Sequence, residues 1–195
     1  MYIQFMRKIK VILFIASTWL IFSTINITAN SEVQHCNLND WHPKKFRYTK
    51  PAKQIKSTTL YTLQGTEKKL QDYNKRGLIL NFWATWCAPC IKEMPSLAGL
   101  QKTLSKDKIE VLMLSVDYGT QMKISKLITE FLHLKNLKGL RSFWDKDRAI
   151  MNSVDIRGLP TTIFIDSQGY EIGRIAGLSD YSSNRMKYFI RNCLY

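Results

Sequence analysis

Residues 77–84 read Gly-Leu-Ile-Leu-Asn-Phe-Trp-Ala, and they run without a break into Thr85-Trp86-Cys87-Ala88-Pro89-Cys90 and a helical pattern that lasts to Leu104. A strand apolar on both faces has to be covered on both, so it belongs inside a sheet flanked by helices. In the pattern that follows, Ile91, Met94, Leu97, Leu100 and Leu104 recur at three- and four-residue intervals, the mark of a helix with one buried face. This strand-to-helix junction fixes the class as α/β and sets two cysteines one helical turn apart at the start of a helix.

The rest of the chain repeats the alternation. Residues 58–63 alternate as a strand and end at Gly65, 70–73 make a short helical piece, and 109–116 form a second buried strand. An amphipathic helix is expected over 122–134, a strand over 140–144, a short helix over 148–154 and a last helix over 181–193. Residues 161–166 and 170–176 flank Ser167-Gln168-Gly169, a hairpin pattern with glycine at the turn. Strand-helix-strand units followed by a hairpin and a helix imply a mixed central sheet with helices on both faces. The 195 residues suffice for one core, and a hydrophobic fraction of 45% excludes intrinsic disorder.

The formal charge of +14 raises nucleic acid or an anionic membrane as partners, and its placement separates them. Arg7, Lys8 and Lys10 precede an apolar run, and residues 11–31 carry no charge. A basic flank, an apolar stretch and small residues at Ala29 and Ser31 make either a signal peptide cleaved after residue 31 or an uncleaved membrane anchor, with a buried core helix as the plain alternative. Six further cations, Lys44, Lys45, Arg47, Lys50, Lys53 and Lys56, are interleaved with Trp41, Phe46 and Tyr48. This stretch reads as a basic arm over 32–56 that meets solvent or lipid, and nucleic acid is not an expected partner behind an export segment. The division expected is therefore a signal or anchor over 1–31, the arm over 32–56 and one domain over 57–195.

Export implies a compartment where disulfides persist, so the four cysteines read as redox groups or bridges. Cys87 sits at a helix start, where free N–H groups and the macrodipole favour a thiolate, and thiols so placed fall to a pKa of roughly 3.5–7.5. Cys87 is the expected nucleophile and Cys90 the resolving thiol. Cys36 and Cys193 remain as a second pair, worth about 4–5 kcal/mol if bridged, or as two separate thiols. A structural zinc site would need two more ligands, and His35, His42 and His133 are scattered, so no metal is expected.

The stretch Asn81-Phe82-Trp83-Ala84-Thr85-Trp86-Cys87-Ala88-Pro89-Cys90, with Pro95 and the distant Gly158-Leu159-Pro160-Thr161-Thr162, resembles the thioredoxin superfamily. More narrowly it is similar to the membrane-anchored TlpA and ResA type of periplasmic thiol-disulfide oxidoreductase, over roughly residues 57–193. The resemblance implies a thioredoxin fold with Pro160 in the cis form beside the dithiol, which would leave the edge at Leu159 open to a substrate strand. It also implies a role for Glu93. Thioredoxin carries a buried Asp where Asn81 stands here, and Glu93, on the helical face of Cys90, takes its place as the carboxylate that accepts the resolving proton. The plain alternative is that Glu93 favours the first turns of its helix through the dipole. Trp86 is expected as an apolar platform for substrate, or as packing.

The resemblance implies an exported protein-disulfide reductase without a cofactor, anchored to a bacterial inner membrane through residues 11–31 and fed by a membrane electron donor. Its partners would be apocytochrome c or the proteins that assemble copper sites. A disulfide oxidase or isomerase would use the same residues, and a copper-binding assembly protein would use Cys87 and Cys90 as soft ligands.

Overall fold

A computed structural model describes residues 43–56, 58–73, 77–137 and 139–194. The segment expected as a signal or anchor lies outside the described residues, and among the described residues no helix is long and apolar enough to cross a membrane.

The described residues form one eight-stranded sheet: β1 (Phe46–Gln54), β2 (Thr59–Thr62), β3 (Glu67–Lys69), β4 (Leu78–Trp83), β5 (Glu110–Ser115), β6 (Arg141–Trp144), β7 (Thr161–Ile165) and β8 (Tyr170–Ala176). Across the sheet they run β1-β8-β7-β4-β5-β6-β2-β3. The apolar run at 77–84 becomes β4, which pairs in parallel with β5 and antiparallel with β7. Every residue of β4, β5 and β7 is buried, as strands covered on both faces require. The helices are α1 (Ala88–Leu104), α2 (Gln121–Leu134), α3 (Ala149–Ser153) and α4 (Asn184–Cys193), with a short 3-10 turn at Leu70–Tyr73. The mixed sheet of an α/β fold stands as expected.

Side-chain caps start α2 and α4. Thr120 and Ser183 each accept a hydrogen bond from the backbone N–H three residues on, which satisfies one of the orphan donors of a helix start. The helix α1 runs unbroken through Pro95, with Cys90, Glu93, Met94, Leu97, Leu100 and Leu104 buried. The β7–β8 hairpin turns where expected, because Asp166 Oδ1 accepts from the amides of Gln168 and Tyr170 and Gly169 takes the left-handed conformation at φ 88°.

The division at residue 56 needs correction. Within the segment read as a basic arm, Phe46–Gln54 is an edge strand that pairs antiparallel with β8. Phe46 is 2% exposed and packs edge-on against Phe164 and Phe189. The cations fit this position, since charged side chains and a proline at Pro51 keep a sheet edge from pairing with other chains. The short strand β3, all exposed, was also unread.

Candidate functional site

The chain leaves β4 at Trp83 and turns before α1, with the Cys87 amide donating to the Ala84 carbonyl at 3.1 Å. A carboxylate beneath the turn holds it. Asp117, 5% exposed, accepts from the Thr85 amide at 3.0 Å, from the Thr85 hydroxyl at 2.8 Å and from the Ser115 hydroxyl at 2.7 Å. Asp117 was missed in the sequence, where the only hint is a carboxylate directly after a buried strand.

Cys87 is the N-cap of α1, and its Sγ accepts from the Cys90 amide at 3.3 Å. The two cysteines are joined in a disulfide, with Cα atoms 5.3 Å apart. Cys87 is 5% exposed and lines a groove, whereas Cys90 is wholly buried. Of the two sulfurs, the first therefore lies on the groove and the second is enclosed.

Glu93 lies on the same helix and is almost fully buried. Asn81 Nδ2 donates to its Oε1 at 2.8 Å, and the Ser179 amide donates to its Oε2 at 3.0 Å. Burial pushes the Glu93 carboxyl up to about 7, against the pull of those two donors and of the Lys45 charge. A group balanced near neutrality can take and return a proton at physiological pH. The carboxyl is enclosed, not solvated.

The enclosure continues through Asn81. Its Nδ2 also donates to the Thr162 hydroxyl at 2.8 Å, which lies 2.6 Å from the Tyr181 hydroxyl. Burial first, and the Glu93 charge second, push the Tyr181 phenol far above its ordinary range, so it stays protonated. Ser96 closes the ring by donating to the Glu93 carbonyl while accepting from the Tyr181 amide. Ser179 and Tyr181 were not singled out from the sequence, because Glu93 and Ser96, their partners here, lie 86 and 85 residues away along the chain, and Thr162 was quoted in a motif without its tie to Asn81, 81 residues away.

The groove outside Cys87 has a volume of about 550 Å³ and is lined by Trp86, Leu159 and Met151 among others. Trp86 is 65% exposed on its wall, available as a platform and not consumed by packing. The Leu159–Pro160 peptide is cis, as the resemblance implies. Among the described residues the Leu159 backbone has no hydrogen-bond partner, so it is free to pair with an incoming segment. Cys193 is buried and is not a free thiol, while Cys36, its expected partner, lies outside the described residues. Among the described residues no group of three His, Cys, Asp or Glu is placed to hold a metal ion.

The AhpC/TSA family model matches residues 51–170. The chain is 34% identical over 112 residues to the thiol-disulfide oxidoreductase ResA of Geobacillus kaustophilus, a match covering 56% of this chain and 60% of that one. It is 33% identical over 133 residues to the thioredoxin-like protein YneN of Bacillus subtilis, covering 68% of this chain and 75% of the relative. Among solved structures, a secreted thiol-disulfide isomerase from Corynebacterium glutamicum superposes with a TM-score of 0.63 at 23% identity, over 77% of this chain and 90% of that one. The AhpC/TSA model spans more than half of the 195 residues and takes in the Cys87–Cys90 dithiol, Glu93 and the cis Pro160, so the chain belongs to the AhpC/TSA family of thioredoxin-like proteins.

Proposed function

We propose that this chain is an exported thiol-disulfide oxidoreductase that works as a dithiol reductase on disulfides of other exported proteins. The observation that carries the reading is the asymmetry of the pair. Cys87 opens onto the groove, and Cys90 is enclosed on the same helix as Glu93, three residues on, whose carboxyl pKa is raised to about 7.

In the reduced enzyme the Cys87 thiolate attacks one sulfur of a substrate disulfide. The substrate S–S bond breaks, a mixed disulfide forms, and the released substrate thiolate takes a proton. Ionised Glu93 then accepts the Cys90 proton, and the Cys90 thiolate attacks Cys87 Sγ. This closes the Cys87–Cys90 disulfide and frees the second substrate thiol, so two electrons pass to the substrate. The cycle needs an external dithiol donor to restore the pair, which in this reading is a membrane electron carrier.

The name ResA on a relative supports thiol-disulfide exchange. Apocytochrome c and copper-site assembly proteins are the substrates we favour, since both present closely spaced cysteines. The uncharged Ala88-Pro89 spacer adds no group that would stabilise the thiolate strongly, which suits a donor of electrons. Periplasmic placement rests on the basic flank and uncharged stretch over residues 7–31. Redox equilibration with glutathione, followed by thiol alkylation, tests the direction. A potential well below about −180 mV is expected, and one near about −120 mV would make the protein an oxidant.

A further inference from the structure

The groove beside Cys87 carries two guanidinium groups, Arg148 and Arg157, and none of its lining residues is acidic. Both side chains are exposed. Arg157 pairs with Asp155 at 3.0 Å, but the pair is 85% and 69% exposed, the kind of surface contact that a partner's carboxylate displaces at little cost. Arg148 forms no salt bridge among the described residues. Its charge acts on Asp145, which is 1% exposed and spends its oxygens on the amides of Ile150 at 2.9 Å and Met151 at 2.8 Å.

The backbone is arranged to put Arg148 there. Asp147 and Arg148 both take the left-handed conformation, at φ 57° and 55°, which costs roughly 1–2 kcal/mol for each non-glycine residue. The buried Asp145 anchors the loop, and its amide donates to the Ser115 carbonyl at the end of β5 at 2.8 Å. Strain held in place by a dedicated anchor is found where a side chain must be aimed.

We infer that this groove selects partner segments that carry an acidic side chain close to the reacting disulfide, with Arg148 and Arg157 reading the carboxylate while Trp86, Met151 and Leu159 cover the apolar remainder. The inference rests on the thiol-disulfide exchange proposed above. The whole chain, at +14, attracts acidic partners from a distance, and the two arginines turn that attraction into a local preference.

Three oxidised Cys-x-x-Cys peptides that differ only in two flanking residues, Glu, Gln or Lys, test it with the full-length reduced protein at low salt. The second-order rate constant for the Glu peptide is expected to exceed that for the Lys peptide roughly tenfold, with the ratio shrinking as salt is raised. In the double variant Arg148→Gln/Arg157→Gln the ratio is expected to fall toward one. In Arg148→Glu/Arg157→Glu it is expected to invert, an outcome that misfolding cannot produce. A wild-type ratio near one with all three peptides reduced would overturn the charge preference and leave the oxidoreductase reading intact. So would an unaltered ratio in the charge-reversed protein. Reduction of none of the peptides would remove both.

Discussion

At the residue scale the chemistry turns on a competition around one carboxyl. Burial alone would drive Glu93 further into the neutral form, and the Asn81 and Ser179 donors hold it near neutrality. Asn81 thus acts as a positioning residue, donating where an aspartate would repel. The sign of its effect follows. In the mechanism we propose the resolving step uses ionised Glu93, so the rate of mixed-disulfide release should rise with pH through about 7. In Asn81→Ala the lost donor raises the Glu93 pKa, and the midpoint of that rise should move to higher pH, while Glu93→Gln should slow release at every pH and flatten the profile. Stopped-flow release of a preformed Cys87 mixed disulfide measures both. An unmoved midpoint in Asn81→Ala would detach the amide from the mechanism.

The elements that build the site differ in how openly the sequence announces them. The strand β4, the helix α1 and the β7–β8 hairpin could be read directly, because period, apolar content and turn residues all agree there. The edge strand β1 could not, since its residues Arg47, Lys50, Pro51 and Lys53 answer to the needs of an edge and not to those of a core. What fixes β1 is a close approach in space. Gly173 on β8 faces Phe46, and a Cβ there would lie 2.3 Å from Phe46 Cζ and 2.5 Å from the Arg47 carbonyl oxygen. Gly173→Ala is therefore expected to destabilise the fold by about 1–3 kcal/mol and to strip β1 amides of hydrogen-exchange protection. Wild-type protection in that variant would mean that β1 is held by something other than this contact. The same distinction runs through the site. Cys87, Cys90, Glu93, Pro160 and Thr162 stand in readable motifs, whereas Asp117, Ser179 and Tyr181 matter only because the fold brings them to the turn, to Glu93 and to Thr162.

Across the whole molecule, a strongly basic chain places its charge in separate regions. Three cations flank the segment expected to direct export, others line the sheet edge at β1, and two stand over the groove. Deeper in the sheet the charges are paired. Glu171, fully buried, receives two hydrogen bonds from Arg174 and one from the Thr49 hydroxyl on β1, and Arg174 reaches on to the Val154 carbonyl behind α3. This pair links the edge strand to the segment behind the groove, and its value lies in geometry more than in net stabilisation. The scaffold therefore holds one arrangement, a groove-lining Cys87 in front and an enclosed Cys90 and Glu93 behind. The most direct test replaces the sealed thiol. When Cys90→Ala protein is mixed with an oxidised Cys-x-x-Cys peptide and quenched with acid, intact mass is expected to show one peptide bound, mapped to Cys87, with no adduct on Cys87→Ala protein. Equal labelling of both variants, or of neither, would contradict the assignment of Cys87 as nucleophile and Cys90 as the thiol that releases it.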